Sequence, residues 1–362
     1  MLGVGLMSGT SLDGMDAALV RLDGADRVEL LAFHTRPYAP EERALIAAAI
    51  ETGRAPDLAR IHVRLSEWAT DAVEAVLAAS SVRACDLAFI AFPGQTIWHE
   101  PGVVSWQLGE PAILAERFGV RIVSGFRARD VAAGGQGAPL VPIADVLLFG
   151  GERPRVLLNI GGMANVTWVP HRDEDRGAIA FDTGPGMAVI DEVARLVRPD
   201  LPFDRDGVAG NGGHPDEAVL SELLGHPFFA TTPPRSTGRE LFGREYAAAL
   251  HARVPGPDGV ATAVELTAAS VASAITTHTP APAEVITSGG GTRHPGLMKR
   301  LAERLGADRP LRRFDDVFFN GDAKEAVAFA LLGYLTVHGQ PGNLPSATGA
   351  VGRRVLGTVT PA

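Results

Sequence analysis

The segment Phe181-Asp182-Thr183-Gly184-Pro185-Gly186 sets one carboxylate at the end of an apolar run, directly ahead of a turn and a helix. Such an aspartate has two uses. It can cap the helix or shape the turn. It can also stand at a ligand site as a general base, the group that phosphoryl transfer asks of a protein whose other work is positioning. Glycine-rich segments accompany it. Ser8-Gly9-Thr10-Ser11-Leu12-Asp13-Gly14-Met15-Asp16 offers hydroxyl and backbone N–H donors to a phosphate, and its glycines permit close approach. A plain hairpin turn needs neither the hydroxyls nor both aspartates. Asn159-Ile160-Gly161-Gly162-Met163-Ala164-Asn165 is a second such hairpin, which read alone serves equally well as a structural turn. Ser288-Gly289-Gly290-Gly291-Thr292 follows an apolar strand and would let a flat ligand such as an adenosine lie on the backbone; a flexible turn is the other reading.

Two more segments carry charge. In Arg127-Ala128-Arg129-Asp130, with Gly134–Ala138 close behind, a guanidinium fork suits an anionic group, or Arg129 pairs with Asp130 at the surface. In Asp322-Ala323-Lys324-Glu325, Asp322 as N-cap and Glu325 three residues later read as a capping box. That reading leaves Glu325 no further duty. Other chemistries lack their signatures. No Gly-Lys-Ser/Thr follows the first loop, and no Gly-x-Gly-x-x-Gly opens a helix. No His-Glu-x-x-His, Cys-x-x-Cys or Gly-x-Ser-x-Gly occurs, and His214 with Asp216 is too sparse for a metal site.

The elements that must hold these residues repeat. Residues 2–7 and 15–22 read as strands flanking the first loop, with a third over 27–34. Helices follow over 40–51 and 57–79; in the second, Ile61, Leu65, Ala69, Ala72, Val73 and Val76 share one face. A buried strand over 86–92 runs into Gly94-Gln95-Thr96, then a helix over 111–118 and a strand over 120–124. The order restarts with strands at 155–160, 166–169 and 179–182 and a helix from Pro185 to Val197. Helices over 238–253 and 260–278, a strand at 284–288, and helices over 297–305 and 322–337 complete it. Two related α/β domains facing across a cleft are the expected architecture.

At 362 residues the chain suits two domains of ordinary size. A net charge of −9, with no basic run, argues against nucleic-acid binding. The lone Cys85 rules out an intrachain disulfide and suits a reducing, cytoplasmic setting. The N-terminal segment lacks the basic flank and apolar length of a signal peptide. No apolar run approaches the roughly 18 residues of a membrane span.

Taken together, MSGTSLDGMD (7–16), GQTIWHEP (94–101), FRARDVAAGGQGAPLVP (126–142), NIGGMANVT (159–167), FDTGPG (181–186), PPRSTGRE (233–240), SGGGTRHPGLM (288–298), DAKEAVAFA (322–330) and NLPSATGA (343–350) resemble the anhydro-N-acetylmuramic acid kinase family of the sugar kinase/Hsp70/actin superfamily. The resemblance implies two actin-like (ribonuclease H-like) α/β domains, 1–128 and 129–362, with mixed sheets flanked by helices, a cleft between them and the C-terminal helix packing back on the first. It implies ATP- and Mg²⁺-dependent conversion of 1,6-anhydro-N-acetylmuramate plus water to N-acetylmuramate 6-phosphate in peptidoglycan recycling, by a cytoplasmic homodimer. Asp182 would be the base. Gly9, Thr10, Ser11, Leu12, Asp13, Gly14, Met15, Asp16, Asn159, Gly161, Gly162, Gly289, Gly290 and Gly291 would serve the nucleotide. Asp13, Gln95, Thr96, Arg129 and Glu325 would meet the amino sugar. Pro93, Met187, Ser288 and His294 depart from the family's usual His, Asn, Cys and Asn. Pro93 and Met187 flank the expected sugar pocket, so they bear on substrate fit. Two other classes share the fold: a non-catalytic sugar sensor, which loss of Asp182 would favour, and a filament-forming ATPase, which the sugar-side motifs oppose.

Overall fold

The computed structural model describes residues 1–9, 12–151, 153–171, 177–201, 203–204, 206–280 and 283–362. The chain divides into two compact units: Met1–Phe149 with Ala323–Ala362, and Gly150–Asp322. The expected edge at 128/129 therefore lies before the observed division. The helix Val141–Phe149 stays with unit 1 because it packs on the helix Lys324–Val337, itself laid across that unit's sheet. A buried ion pair, Lys324 Nζ to Asp145 at 2.9 Å, joins the two helices.

Unit 1 is built on strands β1 (Leu2–Met7), β2 (Gly14–Leu22), β3 (Val28–Pro37), β4 (Phe89–Ala91), β5 (Gln95–Glu100), β6 (Val104–Leu108) and β7 (Ile122–Ser124). Its main sheet runs β3-β2-β1-β4-β7, extended at the β7 edge by Thr358–Thr360. β1, β2 and β3 pair antiparallel, and β4 and β7 add in parallel. One face carries Val4, Leu6, Met15, Ile90 and Ile122 onto the helix Ala55–Ala78, whose Ile61, Leu65, Ala69, Ala72, Val73 and Val76 are buried as the 3.6-residue spacing requires. Each fully buried Leu, Ile or Val contributes roughly 1.5–3 kcal/mol. The other face meets Lys324–Val337 so closely that a Cβ on Gly5 would lie 1.9 Å from the Ala326 carbonyl. The antiparallel hairpin β5–β6 was not foreseen; its alternation is broken by a register shift between Thr96 and Trp98.

Unit 2 repeats the topology with β8 (Arg155–Ile160), β9 (Met163–Val169), β10 (Ile179–Pro185), β11 (Glu284–Ser288) and β12 (Leu311–Arg313), in the order β10-β9-β8-β11-β12. Again three antiparallel strands come first and two parallel strands follow. This is the doubled actin-like α/β arrangement. The core lies under the helices Met187–Val197 and Pro257–His278. Contrary to the expectation that no segment is apolar enough, the latter is by length and composition long and apolar enough to cross a membrane, with a mean hydropathy of 1.3. It is buried because helices and β10 pack around it, with 89% of its apolar window covered.

Several helix starts differ from expectation, two of them beside the motifs 181–186 and 233–240. Pro185 belongs to β10, paired with Met163, and the helix begins at Met187. The helix expected over 238–253 is Arg244–Arg253, because Gly243 sits as its N-cap against the Arg239 carbonyl.

Candidate active site

In unit 1 the loop between β1 and β2 is held from below. Ser8 Oγ donates to Gln95 Oε1 at 2.5 Å and lies 2.9 Å from Tyr38 Oη. Ser8 has one hydroxyl hydrogen, so Tyr38 is the donor in the second bond. Gln95 Nε2 then donates to the Gly9 carbonyl at 3.3 Å. Tyr38, Ser8 and Gln95 form one chain ending on the loop backbone. Burial pushes the Tyr38 hydroxyl up to about 12. Gln95 is fully buried, so its place is beneath the loop, with its amide already spent. Thr96 is partly exposed beside it and accepts from Gln107 at 3.4 Å. Thr10 and Ser11 lie outside the described residues. Next to them, Leu12 has φ 57° and donates to the Gly9 carbonyl. A branched side chain at left-handed φ costs about 1–2 kcal/mol, so Leu12 is held against its own preference.

The loop's carboxylates differ. Asp13 is exposed, 3.7 Å from Arg43. Asp16, at the base of β2 opposite Met7, accepts from Thr35 Oγ1 at 2.6 Å. Gly14 and Met15 open β2 and are buried in it.

Glu325 is not a capping-box residue. The helix starts at Lys324 with Ala323 as N-cap and no side-chain cap bond, and Asp322 instead pairs with Arg293 at 3.0 Å. The Glu325 side chain reaches solvent, yet protein atoms crowd it and cost it hydration, which raises its pKa. Lys324 and Arg127 act against that rise, and Asp16 and Asp145 add to it. Arg127 is thus the arginine whose charge reaches Glu325, a pairing the motif did not single out.

Arg129 is exposed on the short helix Ala128–Ala132 and forms no ion pair with Asp130. Asp130 is fully buried. It accepts from Gly137 N, Asn343 Nδ2 and Thr348 Oγ1, each at 2.8 Å. A Cβ on Gly135 would lie 2.3 Å from Asp130 Oδ2, so the glycine there is steric necessity. The motifs 126–142 and 343–350 are therefore two sides of one clasp.

In unit 2 the Gly161–Gly162 turn faces a helix end. Its carbonyls accept from the N–H groups of Gly186, Met187 and Ala188 at 2.8–3.0 Å, and Gly161 N–H is spent on the Met163 carbonyl. The turn thereby satisfies donors that a helix start leaves open. Asn159 and Asn165 are cross-strand partners, and Asn165 sits opposite Asp182. Gly289 has φ +86°, and a Cβ there would meet Asn159 Oδ1 at 2.6 Å and the Ile160 carbonyl at 2.7 Å. Gly291 is buried against Ile160, while Gly290 is exposed with open space around it. The backbone beside β8 is bare, as an adjoining flat ligand requires.

Asp182 is half-buried midway along β10, where a register shift separates it from Gly184. It caps no helix. Its Oδ2 accepts from Thr237 N at 2.8 Å. Burial raises its pKa to about 6; the Thr237 bond and the Arg235 charge oppose the rise and Glu240 adds to it. A carboxylate ionised at neutral pH, yet more basic than an exposed one, can take a proton from a weak acid. Arg235 and Thr237 belong to 233–240, a segment noted in the sequence but given no role. The only signal was its Pro-Pro-Arg composition, and the second proline follows a cis bond.

A family model described as "Anhydro-N-acetylmuramic acid kinase" matches residues 1–362. A relative of that name from Caldanaerobacter subterraneus subsp. tengcongensis is 39% identical, covering 99% of this chain and 96% of its own. One from Xanthomonas campestris pv. campestris (strain 8004), also so named, is 40% identical over 99% and 97%. A solved structure, the activator of the 2-hydroxyisocaproyl-CoA dehydratase from Clostridium difficile with bound ADPNP, aligns over 91% of this chain and 93% of its own at 12% identity and TM-score 0.46.

Proposed function

The chain belongs to the anhydro-N-acetylmuramic acid kinase family, and on that premise we propose that it converts 1,6-anhydro-N-acetylmuramate, water and ATP to N-acetylmuramate 6-phosphate and ADP, as a cytoplasmic homodimer serving peptidoglycan recycling. The observation that carries the mechanism is Asp182, a half-buried carboxylate with a pKa of about 6 and one oxygen fixed by the Thr237 amide.

In this reading Asp182 takes a proton from water as the water oxygen bonds to C1 of the sugar. The C1–O6 bond breaks and its electron pair stays on O6. O6 attacks the γ-phosphorus, and the bond to the β-phosphate oxygen breaks to release ADP. One carboxylate thus serves both bond changes, and a chain with no proton acceptor here would do neither. The loop from Gly9 to Asp16 and the Gly289–Gly291 backbone would hold the nucleotide, the first on its phosphates and the second beside its adenosine. Gly162, Asn159, Thr96, Arg129 and Glu325 line the remaining polar contacts of the proposal, with Arg127 setting the charge around Glu325.

Mg²⁺ would spread the phosphate charge when bound. It is held largely by phosphates and water with one or two carboxylates, not by an all-protein cage. Two carboxylates could serve that need: Asp13 on the loop and Asp16 at the base of β2.

The test is incubation with ATP, Mg²⁺ and 1,6-anhydro-N-acetylmuramate in ¹⁸O-labelled water. The expected product is the 6-phosphate with the label on C1 and none in the phosphate. No product, or label in the phosphate, would overturn the reading.

A further inference from the structure

We propose that Arg235 is a positioning residue for Asp182: its guanidinium ties the 228–237 segment to the middle of β10 and thereby holds the Thr237 amide against the carboxylate. The proposal rests on Asp182 being the proton acceptor. Arg235 Nε donates to the Asp182 carbonyl at 3.0 Å, and the Arg235 carbonyl accepts from Asp182 N–H at 3.0 Å. The two residues are thus joined backbone to backbone and side chain to backbone. Nη1 is shared among the carbonyls of Phe228, Phe229 and Thr231 at 3.2, 3.1 and 2.7 Å. The guanidinium carbon also lies 4.9 Å from the Phe228 ring centroid and 5.5 Å from that of Phe181. Two residues further on, Thr237 N–H reaches Asp182 Oδ2.

The arrangement is specific in what it avoids. Arg235 gives its hydrogen bonds to carbonyls and none to the carboxylate. A direct bidentate pair would pull Asp182 well below the ordinary carboxylate range and leave it too weak a base. Held one shell away, the charge restrains the rise that burial imposes without cancelling it. Among the described residues no hydrogen bond falls on Oδ1, so Thr237 fixes the carboxylate by one oxygen and leaves the other for an incoming proton. A lysine cannot reproduce this, because one ammonium cannot lie along Asp182 O and the three carbonyls of 228–231 at once.

The experiment labels aspartate carboxyls with ¹³C and follows their NMR titration in the wild type, Arg235→Lys, Arg235→Met, Arg235→Ala and Asp182→Asn. The last assigns the Asp182 signal. In Arg235→Met the Asp182 titration should move up by roughly one unit as a restraining charge and a fixed donor are lost. The acid limb of kcat should move with it, while KM for ATP changes by no more than about twofold. Arg235→Lys should fall between, and free guanidinium should draw the Asp182 signal of Arg235→Ala back toward the wild type. Should Arg235→Met not fold, Arg235→Lys carries the comparison. An unmoved Asp182 titration and acid limb in a folded variant, with only the rate reduced, would overturn the proposal. A wild type without sugar-kinase activity would sink the functional reading instead, and the NMR titration reports Arg235's effect on Asp182 in either case.

Discussion

The Thr237 amide donates to Asp182 Oδ2 at 2.8 Å across 55 residues of chain. An asparagine at 182 can keep that bond through its carbonyl oxygen and lose only its basicity. Asp182→Asn should therefore lower kcat by about 10²–10⁴-fold, the usual worth of a general base. Nucleotide affinity should stay near the wild-type value. Steady-state kinetics with calorimetric ATP titration check both. In the wild type the acid limb of kcat/KM should fall near pH 6.

The same substitution has a signature in stability. Asp182 binds its proton more tightly in the folded chain than in the unfolded one, so ionising it disfavours folding. The penalty is absent below about pH 4, grows as pH rises toward 6, and is complete above it. Asp182→Asn should thus raise the melting temperature at pH 8, by an amount equivalent to at most about 3 kcal/mol, and change it little at pH 4. Scanning calorimetry at the two values decides it; equal shifts at both would remove the raised pKa from the account.

Gln95→Leu keeps the volume and removes the link between Ser8 and the Gly9 carbonyl. Ser8 Oγ and the half-buried Gly9 carbonyl each lose one of two partners, keeping Tyr38 and Leu12 N–H, at about 0.5–1.5 kcal/mol each. The loss falls on the loop and not on Asp182. KM for ATP should rise on the order of tenfold while the acid limb stays in place, as pH-dependent kinetics would reveal.

Asp130→Ala leaves Gly137 N, Asn343 Nδ2 and Thr348 Oγ1 buried without their acceptor. A destabilisation of about 3–5 kcal/mol is expected, measured by urea unfolding. Gly135→Ala should also destabilise, by pressing a methyl into the same carboxylate. A neutral result in both would mean that the clasp is not what holds the C-terminal segment.

Most of the two sheets was legible because β1, β2 and β8 are apolar runs beside glycine-rich loops that fall between paired strands, whereas β12, Leu-Arg-Arg, and the edge segment Thr358–Thr360 escaped because neither is an apolar run. Asp182 was legible as a carboxylate beside a turn, but its setting was not. Its contacts with Thr237 and Arg235 come from more than 50 positions away, and no local period reports such a contact. Glu325 was misread for the opposite reason. The Asp-x-x-Glu spacing is a true local signal, but Arg293 takes Asp322 and the helix starts at Lys324 instead. Likewise Asp130 looked like a partner for its neighbour Arg129, while its real partners include Asn343 and Thr348 from the far end of the chain. The β5–β6 hairpin escaped because its register shift breaks the two-residue alternation.

Unit 2 is one unbroken stretch, Gly150–Asp322, whereas unit 1 is made from both ends of the chain. During synthesis this inverts the usual sequence of events. The ribosome emits β1–β7 first, but Gly5 and its neighbours have no helix to pack on until Lys324–Val337 emerges. At about 5–20 residues per second, the first-made sheet waits on the order of ten seconds or longer, half-covered, while the later-made unit already has its whole sequence. The nascent chain should therefore need shielding at its beginning rather than its end, and a truncation that removes the last 40 residues should leave the β1–β2 loop without a folded base.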